Sequence, residues 1–267
     1  MAAAGSAIGL GSVWKFPYTA GANGGGAFVL LYIIFTLLIA LPLFMGEVVI
    51  GRKSQKSAIA AYGELSGDSS NWKMLGWFNV IACFIILAVY SVVAGWCLSY
   101  ILMSLTGFTQ GKSPEEIRAV FDTLYASPDI NLFWYTIFIL LNVGVVMGGV
   151  KKGVEKWSKI LTPALLLILV GLFLYGIQMD GFGQAARFIF YPDFSQLTAV
   201  GILEALGVAF FTASVGLGII LTYGSYLKKS EDIPKNAIIV LSLTVCVSIL
   251  AALTIFPIVF TFNFPPE

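Results

Sequence analysis

The sequence predicts an all-α membrane protein in which two of the apolar segments are interrupted near their middle. Of its 267 residues, 58% are hydrophobic and only 11% are charged, and the mean hydropathy is +0.92. A soluble domain carries about 25% charged residues and could not hide this much apolar surface. Apolar runs long enough to cross about 30 Å of hydrocarbon recur along the chain, without the alternating strands of about ten residues that an outer-membrane barrel requires.

We predict seven segments in one transmembrane domain over residues 1–267, with interruptions in the first and the sixth. The segments span residues 2–21, 27–50, 75–102, 131–150, 160–178, 199–227 and 237–260. Only about eight residues precede the first interruption, or roughly 12 Å of helix, and residues 264–267 resemble the start of an external loop. We therefore expect a fragment of a longer membrane protein.

Basic residues predict the orientation of the segments. Eleven of the fifteen lysines and arginines fall in three alternate loops, and cytoplasmic loops carry an excess of basic residues. These residues are Arg52, Lys53, Lys56, Lys73, Lys151, Lys152, Lys156, Lys159, Lys228, Lys229 and Lys235. We expect a multi-pass protein of the plasma (cytoplasmic) membrane with its N-terminus inside.

Composition also argues against an enzyme. The chain has no histidine, which excludes histidine proton relays and Ser-His catalysis, and it has no GxxxxGK phosphate loop. Its three cysteines, Cys83, Cys97 and Cys246, lie in apolar segments without metal or redox spacing. We expect neither an enzyme nor a nucleic-acid partner.

The first segment contains Gly9 and Gly11 within an otherwise apolar run. A glycine inside a helix costs about 1 kcal/mol relative to alanine. Broken backbone at membrane depth is tolerated only where it is buried in protein or lines a cavity. The pair therefore predicts a broken helix and a binding site.

The sixth segment repeats this pattern with Gly216 and Gly218, next to the hydroxyls of Thr212 and Ser214. The N-terminus of a half-helix suits a carboxylate, and the carbonyls of an unwound end suit a hard cation such as Na⁺. Close helix packing alone explains one such glycine pair well. Two pairs beside hydroxyls favour a transport site.

Four motifs carry a resemblance to a known family. They are GSAIGLGSVWKFP at residues 5–17, NGGGAF at residues 23–28, Glu47 ahead of Gly51-Arg52, and FFTASVGLG at residues 210–218. The chain resembles the neurotransmitter:sodium symporter family, over segments one to seven of eleven or twelve. The resemblance implies a leucine-transporter-type bundle with discontinuous helices 1 and 6, the first inverted repeat complete and the second partial.

The resemblance also implies a substrate site formed by the first break, one tyrosine of the third segment and side chains of the sixth. The site residues are Ala7, Gly9, Leu10, Gly11, Tyr90, Phe211, Thr212, Ser214 and Leu217. Without the resemblance, Tyr90 is an ordinary mid-bundle tyrosine and Phe211 ordinary packing. Monoamine carriers of the family place an aspartate at the position of Gly9, so we expect a neutral, hydrophobic or aromatic amino acid as the substrate.

Two sodium sites follow from the resemblance. The first would use Ala7, Ser12, Thr212 and Thr244, and the second the carbonyls of Gly5 and Ile8 with further ligands on an eighth segment. Relatives usually have asparagine at the position of Ser12, and asparagine or aspartate at that of Thr244. A serine hydroxyl reaches less far than an asparagine amide, so we expect the first site to be weakened, completed by water or lost.

A chloride site is not predicted. Tyr32 and Ser248 could contribute to one, but Val208 replaces the glutamine that the family pattern expects.

The family resemblance implies gate roles for two residues, and a third residue is expected to form a structural ion pair. Lys15 stands at the position of an external-gate arginine, although a snorkelling lysine is an equal alternative. Tyr226 resembles an internal-gate tyrosine or an interfacial anchor. Glu47 is expected to pair with Arg52, and proton coupling is its secondary interpretation.

The sequence thus predicts a sodium-coupled amino-acid symporter that works by alternating access. Two alternatives stay open: a sodium-independent or proton-coupled carrier of the same fold, and a membrane subunit that does not transport.

Overall fold

A computed structural model describes residues 5, 7–67 and 70–266, which form helices and turns without a β-strand among them. The first helix, α1 (residues 11–22), opens with the π-helical turn Gly11–Lys15 and continues as the α-helix Phe16–Ala22. The other helices are α2 (Gly26–Ser54), α3 (Ala58–Leu65), α4 (Ser70–Leu105), α5 (Pro114–Ala126), α6 (Pro128–Met147), α7 (Val150–Gly176), α8 (Phe182–Phe190), α9 (Ala199–Ala213), α10 (Ile219–Ser225) and α11 (Ile233–Thr261). Part of the predicted segment 2–21 lies outside the described residues.

Five of these helices, α2, α4, α6, α7 and α11, are long and apolar enough to cross a membrane. Each overlaps one of the predicted uninterrupted segments, with ends that differ by a few residues or, at the start of α7, by a longer stretch. The sixth predicted segment is divided between α9 and α10, neither of which has the length of a span. Many apolar side chains on the long helices are exposed, as expected for surfaces that face lipid.

The chain divides into two compact units, of residues 1–80 with 158–267 and of residues 81–157. The core of the first unit joins α1, α2 and α11 through aromatic rings. The Phe16 ring lies 4.6 Å from the Tyr32 ring and 6.3 Å from the Phe28 ring, measured between centroids, and all three side chains are fully buried. Phe256 of α11 belongs to the same apolar cluster. This core holds α1 against its neighbours.

The second unit is held by a polar anchor at the start of α6. The Trp96 indole N–H of α4 donates to the Asn131 side-chain oxygen at 2.5 Å, and the Asn131 amide donates to the carbonyls of Leu124 and Ser127. Phe121 of α5 meets the Trp96 ring edge-on at 5.6 Å. Both helices are thereby tied to α5.

In the first unit, α2 and α10 approach each other closely enough to exclude a side chain. A Cβ atom at Gly51 would overlap the Leu221 carbonyl oxygen, and one at Gly224 would lie 2.7 Å from the Val48 carbonyl oxygen. The absence of side chains at Gly51 and Gly224 therefore sets the position of the short helix α10.

Candidate functional site

The first break lies at Ile8 and Gly9, which form bends instead of helix. Helical bonding resumes at once, because the amides of Ser12 and Val13 both donate to the Gly9 carbonyl at 3.1 Å. The predicted interruption of the first helix is confirmed. The expectation that Gly11 also interrupts the helix is wrong, because Gly11 opens the π-helical turn.

The second break covers residues 214–218, between α9 and α10. Ser214, Gly216 and Gly218 all have positive φ angles, of 56°, 84° and 68°. A left-handed conformation costs a residue with a side chain roughly 1–2 kcal/mol, whereas glycine adopts it freely. The predicted interruption at Gly216 and Gly218 is confirmed, and its cause is this run of positive φ angles.

The structure brings the ends of the two interrupted helices together. A Cβ atom at Gly11 would lie 3.0 Å from Phe211 Cε1 and 3.8 Å from Thr212 Cγ2, so the start of α1, directly after the first break, touches the end of α9. Ala7 shares an apolar cluster with Ala213, while Ile8 packs in another with residues of α11. Because broken backbone exposes N–H and C=O groups, their meeting point can hold both ends of a zwitterion.

The remaining predicted substrate residues fall in two places. Gly9 and Leu10 are half-buried within the first break, Ser214 is buried in the second break, and Leu217 is half-buried there. Tyr90 is half-buried on α4, in the second compact unit.

Next to the breaks, three helices exchange hydroxyl hydrogen bonds. The Tyr32 hydroxyl of α2 lies 3.1 Å from Thr212 Oγ1 of α9 and 3.2 Å from Ser248 Oγ of α11. Thr212 Oγ1 also donates to the Val208 carbonyl at 2.9 Å. Tyr32, Thr212 and Ser248 are each at most 2% exposed. We call these three residues the hydroxyl bridge.

The residues expected at the first sodium site are buried, and each of their side-chain hydroxyls donates to a backbone carbonyl. Ser12 Oγ donates to the Ala7 carbonyl oxygen at 3.3 Å, which is itself one of the expected ligands. Thr244 Oγ1 donates to the Val240 carbonyl at 2.9 Å, and Thr212 belongs to the hydroxyl bridge. Among the described side chains, the buried polar atoms without a partner are on Thr36, Glu47 and Asn79, and none belongs to this set.

The chain's part of the second sodium site consists of backbone carbonyls, which are suitable ligands for a hard cation. A Cβ atom at Gly5 would lie 2.8 Å from Ser158 Oγ and 3.1 Å from Thr162 Oγ1, so hydroxyls of α7 line this position. Ile8 is buried at the break. Hydroxyls therefore lie close to Gly5, while Ile8 packs among apolar residues of α7 and α11.

Glu47 has a role that the sequence did not reveal. Its carboxylate accepts a hydrogen bond from the Gly216 amide at 2.6 Å, in the middle of the second break, and the residue is only 8% exposed. The expected pairing with Arg52 is wrong, because the Arg52 guanidinium donates to the Glu231 carbonyl at 2.8 Å instead.

The charge of Glu47 also reaches a nearby tyrosine outside the membrane-spanning helices. Burial raises the pKa of the Tyr62 hydroxyl, the Asn79 side chain lowers this pKa through a hydrogen bond, and the Glu47 charge raises it further. The carboxylate therefore bonds to the second break and acts electrostatically on Tyr62 of α3.

The two predicted gate residues lie on the two interrupted helices. The Lys15 ammonium lies 5.5 Å from the centroid of the Tyr18 ring, and Lys15 is the last residue of the π-helical turn. Tyr226 directly follows α10 and is 54% exposed.

Comparisons with known proteins agree with this arrangement. The model of the sodium:neurotransmitter symporter family matches residues 1–113 and 126–263. An uncharacterized sodium-dependent transporter of Bacillus subtilis (strain 168), YhdH, is 44% identical over all of this chain, which covers 59% of that protein. The sodium-dependent neutral amino acid transporter B(0)AT2 of Bos taurus is 26% identical over 97% of the chain and 39% of its own length.

A crystal structure of MhsT in complex with L-phenylalanine superposes with a TM-score of 0.94 at 39% identity, over 99% of this chain and 60% of that one. This chain thus spans about three-fifths of YhdH and of MhsT, and the names of YhdH and B(0)AT2 describe transporters instead of enzymes. The two meeting breaks, the leucine-transporter fold and the match along almost the whole sequence establish that the chain belongs to the sodium:neurotransmitter symporter family.

Proposed function

We propose that this chain provides the first seven segments of a longer secondary transporter, which couples inward sodium flow to the uptake of a neutral amino acid by alternating access. The observation that carries the proposal is the contact between Gly11 and the Phe211–Thr212 end of α9, where two broken helices meet. A bundle that only served as a scaffold would gain nothing from two interrupted helices. The N-terminus lies on the cytoplasmic side in this proposal, as the basic loops indicate.

The charges near the site favour an amino acid over an amine. Glu47 is the acidic residue among the buried residues that the structure describes. One oxygen of its carboxylate accepts a hydrogen bond from the Gly216 amide. An amine without a counter-ion at this depth would be expensive, whereas an amino acid brings its own carboxylate. MhsT binds L-phenylalanine and the B(0)AT2 relative carries neutral amino acids, which supports a neutral, apolar or aromatic substrate.

The roles of individual residues follow the proposal. The backbone of Ala7, Gly9, Leu10 and Gly11 holds the amino and carboxyl groups. Tyr90 donates to the carboxylate, and the side-chain pocket is lined by Phe211, Thr212, Ser214 and Leu217. Lys15 and Tyr226 act in the outer and inner gates. Gly5 and Ile8 hold sodium through their carbonyls, and the sodium gradient across the membrane drives uptake.

The first test is uptake by the whole protein in proteoliposomes. With Na⁺ outside, we expect accumulation of radiolabelled L-phenylalanine, and replacement of Na⁺ by K⁺ should lower the initial rate about tenfold or more, because ion and substrate stabilise each other. Equal rates in both salts would favour the sodium-independent or proton-coupled carrier. A failure of every neutral amino acid to bind or enter would favour the subunit that does not transport.

A second test targets the contact between the two breaks. Gly11→Ala would place a methyl group 3.0 Å from the Phe211 ring, and overpacking of this kind typically costs about 1–3 kcal/mol. We expect about a tenfold loss of L-phenylalanine affinity in equilibrium binding. The matched control is Gly207→Ala on α9, where a Cβ atom meets nothing within 4 Å. Equal affinities for the two variants would contradict the placement of Gly11 in the site.

A further inference from the structure

We propose that Asn23 and Glu204 are positioning residues for the substrate site, because the hydrogen bond between them fixes the end of α1 away from the first break against α9. The other end of α1 is thereby held where Gly11 contacts Phe211. The inference rests on the proposed function and adds two residues that act from outside the site. It also assigns a role to the NGGGAF motif at residues 23–28, which the substrate and sodium sites do not use.

The bond joins a buried amide to a carboxylate. Asn23 directly follows α1 and is 8% exposed. Its side-chain amide donates to the Glu204 carboxylate of α9 at 2.6 Å and to the Thr19 carbonyl at 2.9 Å. A hydrogen bond with one charged partner is roughly twice as strong as a neutral one. The amide of Asn23 therefore links α1 to α9, and loss of Glu204 would remove one of its two acceptors.

The start of α9 leaves room for the Asn23 side chain. Gly201 lies almost one turn before Glu204, and a Cβ atom there would lie 2.5 Å from Asn23 Oδ1 and 3.5 Å from Asn23 Cβ. Gly201 is itself held in place, because its amide donates to the Thr198 hydroxyl at 3.0 Å, which caps α9. The missing side chain at Gly201 therefore allows Asn23 to reach Glu204.

The three glycines after Asn23 pack the same turn against α8 and the segment that leads into α9. Gly24 and Gly25 have positive φ angles, of 77° and 69°. A Cβ atom at any of the three glycines would overlap a neighbouring atom, which is Gln196 Cβ, the Phe188 carbonyl oxygen or the Tyr191 carbonyl oxygen. Glycines have no side chain that could bond to α9, so the polar link from this motif is that of Asn23.

Core contacts hold the middle of α1, and the bond restricts the motion that they leave free. Phe16 is fully buried against aromatic rings of α2, which fixes the centre of α1. On one side of Phe16, Gly11 contacts Phe211 near the end of α9. On the other side, Asn23 bonds to Glu204 near the start of α9. A tilt of α1 about Phe16 would move both ends at once. The bond at Asn23 therefore sets the distance between Gly11 and Phe211.

A covalent link tests the proposal within one folded protein. Cysteines at positions 23 and 201 would have Cβ atoms 3.5 Å apart, and a disulfide requires about 3.5–4.5 Å. The whole transporter carries Asn23→Cys and Gly201→Cys, in a background whose three native cysteines are changed to alanine. We expect its reduced form to bind radiolabelled L-phenylalanine about threefold to tenfold more weakly than its oxidised form, because only the disulfide replaces the lost bond.

The controls of this test are the two single-cysteine variants, whose affinity should not respond to oxidation. Equal affinities of the reduced and oxidised double variant, with disulfide formation verified by thiol labelling, would overturn the positioning role. If the unmodified transporter bound no neutral amino acid, the proposed function itself would be overturned.

Substitutions of Glu204 test the bond without cysteines. We expect Glu204→Ala to weaken L-phenylalanine binding about threefold to tenfold, and Glu204→Gln, which keeps an oxygen for the Asn23 amide, to stay within about twofold of the unmodified protein. Glu204→Ala combined with Asn23→Ala should bind as weakly as the weaker single variant, since both changes break the same bond. A lower Tm with unchanged affinity in Glu204→Ala, or single effects that multiply in the double variant, would contradict the proposal.

Discussion

Replacement of Glu47 by alanine is expected to lower L-phenylalanine affinity about tenfold to a hundredfold in the whole transporter. The Gly216 amide loses its carboxylate acceptor at 2.6 Å, and hydrogen bonds to charged groups contribute about 1.5–3 kcal/mol. Gly216 lies in the middle of the second break, between Ser214 and Gly218, which also have positive φ angles. Equilibrium binding of radiolabelled substrate measures the loss.

Two further variants separate the role of the acceptor from the role of the charge. Glu47→Gln keeps an oxygen for the Gly216 amide, and we expect about a threefold to tenfold loss, because a neutral hydrogen bond contributes about 0.5–1.5 kcal/mol. Glu64→Gln is the matched control, since Glu64 forms an exposed ion pair with Lys56 at 2.9 Å. Such pairs contribute little, so its affinity should equal that of the unmodified protein. Unchanged binding in Glu47→Ala would contradict the proposed support of the second break.

The comparison between sequence and structure shows which features of the site were visible in advance. Gly216 and Gly218 correctly predicted the second break, because the backbone there needs positive φ angles, which glycine adopts most easily. Gly11 was predictive for a different reason, since it is helical and is placed against the Phe211 ring. The same Gly-x-Gly motif therefore corresponds to unwound backbone at the second break and to close packing of Gly11 against Phe211 beside the first.

The partner of Glu47 could not be predicted from the sequence alone. Arg52 is five positions away, whereas Gly216 is 169 positions away and contributes only its backbone amide. An interaction with backbone leaves no trace in residue type. The same limitation applies to Ser12, whose hydrogen bond to the Ala7 carbonyl depends on the path of the chain through the break.

The apolar segments did not predict the short helices between them, although the sequence contains a helix-start signal for one of these, α5. The amide of Glu116 donates to the Ser113 hydroxyl, and the Glu116 carboxylate accepts from the Ser113 amide, which is a capping box at the start of α5. The spacing of Ser113 and Glu116 in the sequence predicts such a start. This 13-residue amphipathic helix contains no long apolar run, so hydropathy alone does not predict it.

The largest loss of stability is expected for Gly51→Ala. The new methyl group would overlap the Leu221 carbonyl oxygen of α10, and that oxygen is backbone, which cannot move aside as a side chain can. We expect a cost at the upper end of the range for overpacking, about 3 kcal/mol, and a fall in the melting temperature Tm of about 6–12 °C. Thermal unfolding of the detergent-solubilised transporter measures the shift.

The same contact can be tested from its other side and against a neutral glycine. Gly224→Ala would bring a methyl group to 2.7 Å from the Val48 carbonyl oxygen, so its Tm should fall in the same direction. Gly46→Ala, on the same helix as Gly51, meets nothing within 4 Å and should leave Tm unchanged or raise it slightly through helix propensity. Equal Tm values for Gly51→Ala and Gly46→Ala would show that the contact between Gly51 and the α10 backbone does not position α10. Because the second break is attached directly to α10, that result would also remove one of the two contacts that couple α2 to the site, and the hydrogen bond between Glu47 and the Gly216 amide would remain as the other.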